Sequence, residues 1–252
     1  MMTGVGECRI NLSDPRALIG SKKALRTLVT LGVQQANSSM RTGENAVFSV
    51  ACAENSEISA TVSQKCRPPG PSVSAKRAMS WARGRAAAGE ALRSIGFEDP
   101  PEVVRGRGGE PVWPDGICGS ITHCDPWTVV VAMRCSSNIS VGIDMENMNR
   151  IADLEIAPLV CRSPECDWIL GSDDPHARLC MIFSAKEALY KSLYPWCRSY
   201  IDFREAELSW CADQSGFQAI LFTNLTEKRK DLFVSSQRRD NLIFSCSICK
   251  IS

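Results

Sequence analysis

Apolar and polar positions alternate without a break through residues 141–146: Val141, Ile143 and Met145 interleave with Gly142, Asp144 and Glu146. A period of two predicts a strand with one buried face, and it points both carboxylates the same way. Shorter runs predict further strands at residues 46–52, 58–62, 128–133, 207–211, 217–222 and 242–250. The runs at 207–211 and 217–222 form a hairpin across Asp213-Gln214-Ser215-Gly216. Elsewhere the period is helical. Leu25, Leu28 and Val29 predict a helix with a basic face of Lys22, Lys23 and Arg26. Trp81, Ala88, Ala91, Leu92 and Ile95 line one side of a helix over residues 73–95, and Gly96 supplies its cap. Ser163-Pro164, with Glu165, and Asp174-Pro175 read as helix starts. The second opens a helix to residue 193, stopped by Pro195, with Leu179, Ile182, Phe183, Leu189 and Leu193 as its buried stripe.

The punctuation between these elements suggests two halves. Arg67-Pro68-Pro69-Gly70-Pro71 is a stiff loop, residues 105–109 are a glycine-rich loop, and residues 134–138 are the joint. Residues 1–137 and 138–252 are the expected units of this 252-residue chain. Composition adds mainly exclusions. A net charge of +1 argues against a dedicated nucleic-acid binder, and no apolar run reaches the roughly 18 residues of a membrane span. Glu7, Arg9 and Asp14 stand where a signal peptide needs an apolar core, so a cytoplasmic protein is expected. The 13 cysteines include Cys246-x-x-Cys249, but zinc needs a second ligand pair, and His123 and His176 are badly spaced for it. Buried free thiols are the expectation.

The candidate chemistry gathers on the carboxylate strand. Asp144 and Glu146 lie about 6.5–7 Å apart on one face, where like charges favour a cation between them, and hard oxygens suit Mg²⁺. Gly142 would leave room for a ligand at the backbone. An ordinary solvated strand face is the alternative. Ser184, Glu187 and Lys191 share one face of the long helix. Glu187 and Lys191 form either an i,i+4 surface pair or a third carboxylate and an ammonium for the same metal. Arg77 and Arg85, two turns apart, suit a phosphate or a solvated surface equally, and Gly84 and Gly89 suggest a close approach to that helix. His123 follows small and hydroxyl residues on the approach to the strand at 128–133, where it packs or meets an anion.

Five motifs occur in order: Arg77-x-x-x-Trp81-x-x-Gly84-Arg85, Gly109-Glu110-Pro111-x-Trp113-Pro114, Gly119-Ser120-Ile121-Thr122-His123-Cys124, Gly142-Ile143-Asp144-Met145-Glu146, and Phe183-Ser184-Ala185-Lys186-Glu187-x-x-x-Lys191, with Asp202-Phe203 trailing. Together they resemble the 4′-phosphopantetheinyl transferases, in the branch similar to the enterobactin synthetase D component. The first 70 residues match poorly. Ser80 stands where that family has an acidic residue, and Trp81 stands in place of Phe, both read as variants of packing. The resemblance implies an α+β fold of two pseudo-twofold-related halves with the site between them. It implies transfer of phosphopantetheine from coenzyme A to a serine of an acyl or peptidyl carrier protein, with release of 3′,5′-ADP. Asp144, Glu146 and Glu187 would hold Mg²⁺, and Glu187 would be the base for the serine hydroxyl. Lys191 would stabilise or protonate the leaving phosphate, with Lys186 as a second cation. Arg77, Arg85, Thr122 and His123 would meet coenzyme A, joined by Arg107 from the flexible loop. Symmetry within one chain implies a monomer. The rivals are another Mg²⁺-dependent phosphoryl or nucleotidyl transferase and a silent module that binds carrier protein or coenzyme A.

Overall fold

A computed structural model describes residues 22–39, 48–54, 74–135, 138–150, 153–222 and 232–250. The strand expected at 58–62 and the loop at 67–71 lie outside them. The chain runs α1 (Lys22–Ser39), β1 (Phe48–Glu54), α2 (Ala75–Ser94), β2 (Val104–Arg105), β3 (Pro111–Val112), β4 (Ile117–Cys124), β5 (Trp127–Arg134) and β6 (Ile139–Asn147). It continues through α3 (Ala157–Val160), α4 (Ser163–Leu170), α5 (Pro175–Cys197), β7 (Ala206–Cys211), β8 (Gly216–Leu221), β9 (Leu232–Arg239) and β10 (Leu242–Lys250).

The strands form two antiparallel sheets, one ordered β1-β5-β4 and the other β6-β10-β9-β8-β7, with β2 and β3 as a separate ribbon. The architecture is α+β, and the chain changes sheet between β5 and β6. Alternation along β5 serves two cores. Val130 and Ala132 pack with Ala88, Ala91 and Leu92 of α2, whereas Val129, Val131 and Met133 face a core shared with the other sheet. Val141, Ile143 and Met145 of β6 and Phe244 of β10 line that same core, with Leu28, Val29 and Val33 of α1 lying over both sheets. No described helix is long and apolar enough to cross a membrane.

Where β4 meets β6 there is no ladder of main-chain bonds. Two hydroxyls replace it: Ser120 Oγ accepts from the Ile143 N–H (3.1 Å) and Thr122 Oγ1 accepts from the Met145 N–H (3.3 Å). The i, i+2 spacing on both strands makes this stitch possible. On the opposite face of β6, α5 packs backbone against backbone. A Cβ on Gly142 would overlap the Ala188 carbonyl oxygen and the Ser192 amide. The space that glycine leaves is filled by α5, which corrects the expectation of room for a ligand there.

Two expectations about elements change, and the expected glycine-rich loop finds its place. Residues 119–123 are not an approach to a strand but part of β4 itself. The glycine-rich loop is the turn of the β2–β3 ribbon. α5 continues through Pro195 to Cys197, because the Trp196 indole donates to Ser140 Oγ on β6 (2.6 Å) and left-handed Arg198 (φ 51°) closes on the Tyr194 carbonyl (2.9 Å). The eleven described cysteines are free thiols.

Candidate active site

Gly142 brings α5 against β6, so Glu187 and Lys191 face the strand that carries Asp144 and Glu146. Asp144 is buried, and its two oxygens are treated differently. Oδ1 accepts from Lys191 Nζ (2.7 Å) and from the Thr122 hydroxyl (3.2 Å). Oδ2 is buried with no hydrogen-bond partner. Lys191 Nζ also donates to the Ile143 carbonyl (3.1 Å). Burial and then the Asp144 charge push the Glu146 pKa up to about 7, with Glu187 adding to the rise and Lys191 opposing it. Burial and Asp144 likewise raise Glu187 against the pull of Lys191. Three carboxylates thus share one ammonium.

That imbalance is the chemistry of a cation site. A buried carboxylate oxygen without a donor is costly, and a hard cation would satisfy it. Among the described residues, no group of three or more His, Cys, Asp or Glu side chains is placed to hold a metal ion by itself. The donor set therefore fits an ion that completes its shell with substrate oxygens, as Mg²⁺ commonly does with one or two carboxylates and phosphates.

The opposite wall comes from the first sheet and α2. His123 Nδ1 lies 3.1 Å from Thr128 Oγ1. Gly84 lets α2 pass the ring, since a Cβ there would stand 3.2 Å from Nε2. Desolvation of the ring, then the charges of Lys191, Arg85 and Arg83, lower the His123 pKa to about 4, although much of the residue's surface is exposed to solvent. Arg85 is buried with its guanidinium stacked 3.5 Å above the Trp81 ring. Trp81 is therefore a platform for Arg85 as well as a packing residue. Arg83 stands in the same cationic group and was missed, because an eight-residue spacing led only from Arg77 to Arg85. Arg77 is exposed in the first turn of α2, where its N–H donates to the capping Ser74 hydroxyl, and no described contact brings it to His123. Arg107 is exposed on the β2–β3 turn. That turn is tied to α5 by Glu110, which accepts from Arg198 (2.7 Å) and from the Gly108 amide (3.0 Å).

Lys186 is not the second cation of this site. It is buried, and its ammonium donates to Glu165 Oε2 (2.8 Å) and to the carbonyls of Val160, Phe203 and Ala206 (2.9, 2.9 and 2.8 Å). Glu165 in turn takes the N–H groups of Arg162 and Leu208. The pair ties α4, α5 and β7 together and leaves no donor for a phosphate.

Beside Glu187 an open groove is lined by Tyr190, Leu193, Tyr200, Ile201 and Phe203 among others. The rings of Tyr190 and Tyr194, and of Tyr190 and Tyr200, stand 5.8 and 6.1 Å apart. No spacing in the sequence announced this groove, because its walls come from α5 and from the segment after it.

Residues 140–246 match the family model of the 4′-phosphopantetheinyl transferase superfamily, and residues 72–133 match that of the 4′-phosphopantetheinyl transferase N-terminal domain. The chain is 36% identical over 150 residues to 4′-phosphopantetheinyl transferase Svp of Streptomyces mobaraensis, covering 58% of this chain and 60% of that one. It is 31% identical over 135 residues to 4′-phosphopantetheinyl transferase Npt of Nocardia iowensis, covering 54% and 60%. It is 37% identical over 123 residues to enterobactin synthase component D of Salmonella typhi, covering 48% and 50%. The matched region thus spans between half and two thirds of the length of these relatives.

Proposed function

We propose that this chain, which belongs to the 4′-phosphopantetheinyl transferase superfamily, moves phosphopantetheine from coenzyme A to a serine of an acyl or peptidyl carrier protein and releases 3′,5′-ADP. The observation that carries the reading is the unpartnered Asp144 Oδ2 amid three carboxylates and one ammonium, opposite the cationic wall of Arg83 and Arg85.

Asp144, Glu146 and Glu187 would hold Mg²⁺, which when bound neutralises charge on the diphosphate. Glu187, its affinity for a proton raised by burial, takes the proton of the carrier serine hydroxyl. The serine oxygen bonds to the phosphorus that bears the pantetheine, and the bond to the bridging oxygen breaks. The electron pair leaves with 3′,5′-ADP. Lys191, one helical turn from Glu187, offers its ammonium to the oxygen that gains charge. Arg83, Arg85 and a neutral His123 donate to the nucleotide phosphates. The groove of Tyr190, Tyr200 and Phe203 takes the pantetheine arm, an extended and mostly uncharged chain suited to an aromatic wall.

The test is incubation with coenzyme A, Mg²⁺ and a panel of carrier domains, read by intact mass and by release of 3′,5′-ADP. A phosphopantetheine adduct on the acceptor serine is expected, absent in Glu187→Gln. No adduct on any carrier domain, or a nucleotidyl adduct instead, would overturn the assignment.

A further inference from the structure

We infer that Thr122 is a positioning residue that decides which oxygen of Asp144 is presented to a cation, so that the metal site is completed across the joint between the two sheets. The inference rests on the reading of Asp144 as a cation ligand. It departs from the expectation that Thr122 touches coenzyme A.

The argument starts with the hydroxyl. Thr122 is buried, and its Oγ1 accepts from the Met145 N–H at 3.3 Å. A threonine hydroxyl has one proton to donate, and an acceptor bond from one side restricts where that proton points. It goes to Asp144 Oδ1, 3.2 Å away. Lys191 supplies the second donor to the same oxygen at 2.7 Å. Two donors on Oδ1 fix the rotation of the carboxylate, and Oδ2 stands buried without one. A freely rotating carboxylate would share its donors between both oxygens. Groups that hold a ligating carboxylate in this way commonly set metal affinity as strongly as some ligands do.

The joint makes this more than a local detail. Thr122 belongs to β4 of the first sheet, Asp144 to β6 of the second. Ser120, two residues earlier, makes the same kind of stitch to the Ile143 N–H (3.1 Å), yet no described bond takes its hydroxyl to a carboxylate. Nature thus supplies an internal control: two stitches of one kind, only one of which reaches Asp144.

The experiment titrates Mn²⁺ into the purified chain at a fixed concentration of coenzyme A, against a protein-free blank, and follows free Mn²⁺ by electron paramagnetic resonance, alongside thermal unfolding. Thr122→Val should weaken Mn²⁺ binding by about tenfold or more. Thr122→Ser, which keeps the donor, should restore it. Ser120→Ala should lose stability comparably to Thr122→Val while binding Mn²⁺ as the wild type does. Should Thr122→Val fail to fold, Thr122→Cys keeps the volume with a poor donor and takes its place in the comparison. Wild-type affinity in Thr122→Val, or equal weakening in Ser120→Ala, overturns the inference and leaves the cation site standing. Absence of Mn²⁺ binding in the wild type, or undiminished binding in Asp144→Asn, overturns the cation reading and this inference with it. The transfer activity is judged separately by the mass assay.

Discussion

His123 shows how far a residue's chemistry depends on what surrounds it. Its type and position suggested a partner for an anion, and by its ordinary pKa it would carry charge near pH 6.5. Burial and three nearby cations lower its pKa to about 4, so near neutral pH the ring carries one N–H, and a bound anion would raise that pKa again. The sign for folding follows. A histidine whose folded pKa lies below its unfolded value costs stability as pH falls from about 6.5 toward 4, because only the unfolded state takes up the proton. Glu146, raised to about 7, contributes in the opposite sense, its stability being lost as pH rises from 4.5 through 7. We therefore expect urea midpoints of His123→Gln to fall less than those of the wild type between pH 6.5 and 4. Parallel pH profiles would show an ordinary solvated imidazole. Lys186 carries the complementary lesson. Its place beside Glu187 was legible, but its four acceptors come from Val160, Glu165, Phe203 and Ala206, none of which a helical spacing could announce. Lys186→Met should cost about 3–5 kcal/mol, since it strands Glu165 as a buried charge. Near-native stability with a raised KM for coenzyme A would return the lysine to the phosphate site.

At the scale of elements, exposure decided what could be read. Elements with one wet face, such as β7 and β8, announced themselves by alternation and turn residues, and the hairpin register Cys211 to Gly216 agrees with the expected turn. β9 escaped because residues 232–236 are all buried, with α1 on one face and α5 on the other, and a strand covered on both faces has no period. Gly142 was legible as unusual and misread, because the partner that needs its missing side chain lies over forty residues away on α5. The contact sets the depth of the whole helix and hence the reach of Glu187 and Lys191. Gly142→Ala should destabilise by about 1–3 kcal/mol, the usual cost of overpacking. It should depress turnover further, by displacing Lys191 from Asp144. Gly89, where a Cβ would meet only the Arg93 guanidinium at 3.8 Å, gives the contrast. Gly89→Ala should stabilise α2 by about 0.5–1 kcal/mol through helix propensity alone. Unchanged melting and turnover in Gly142→Ala would mean that α5 is free to settle elsewhere.

For the molecule as a whole, the mixed α+β architecture was legible in the alternation of strand and helix periods, whereas the element that binds the sheets together was not. α1 read as an amphipathic helix with a basic face, and amphipathicity says that a helix is covered without saying by what. In the structure it lies over both sheets. Leu28, Val29 and Val33 join a core with Val129 and Val131 on one side and Val141 and Phe244 on the other. Gly32 admits the Phe244 ring, and its carbonyl accepts from Ser235 Oγ at 2.6 Å. With the hydroxyl stitches of Ser120 and Thr122, this makes the sheets energetically dependent on one another, so they should open as one unit. Leu28→Ala, a truncation in the shared core, should cost about 2–5 kcal/mol. The informative quantity is where that loss registers. Native-state hydrogen exchange on the amides of β5 and of β10 should show both strands losing the same protection free energy, since neither sheet keeps its inner face covered once α1 loosens. A loss confined to β10 would mean that α1 serves the second sheet alone, and that the halves are held together only by the stitch between β4 and β6.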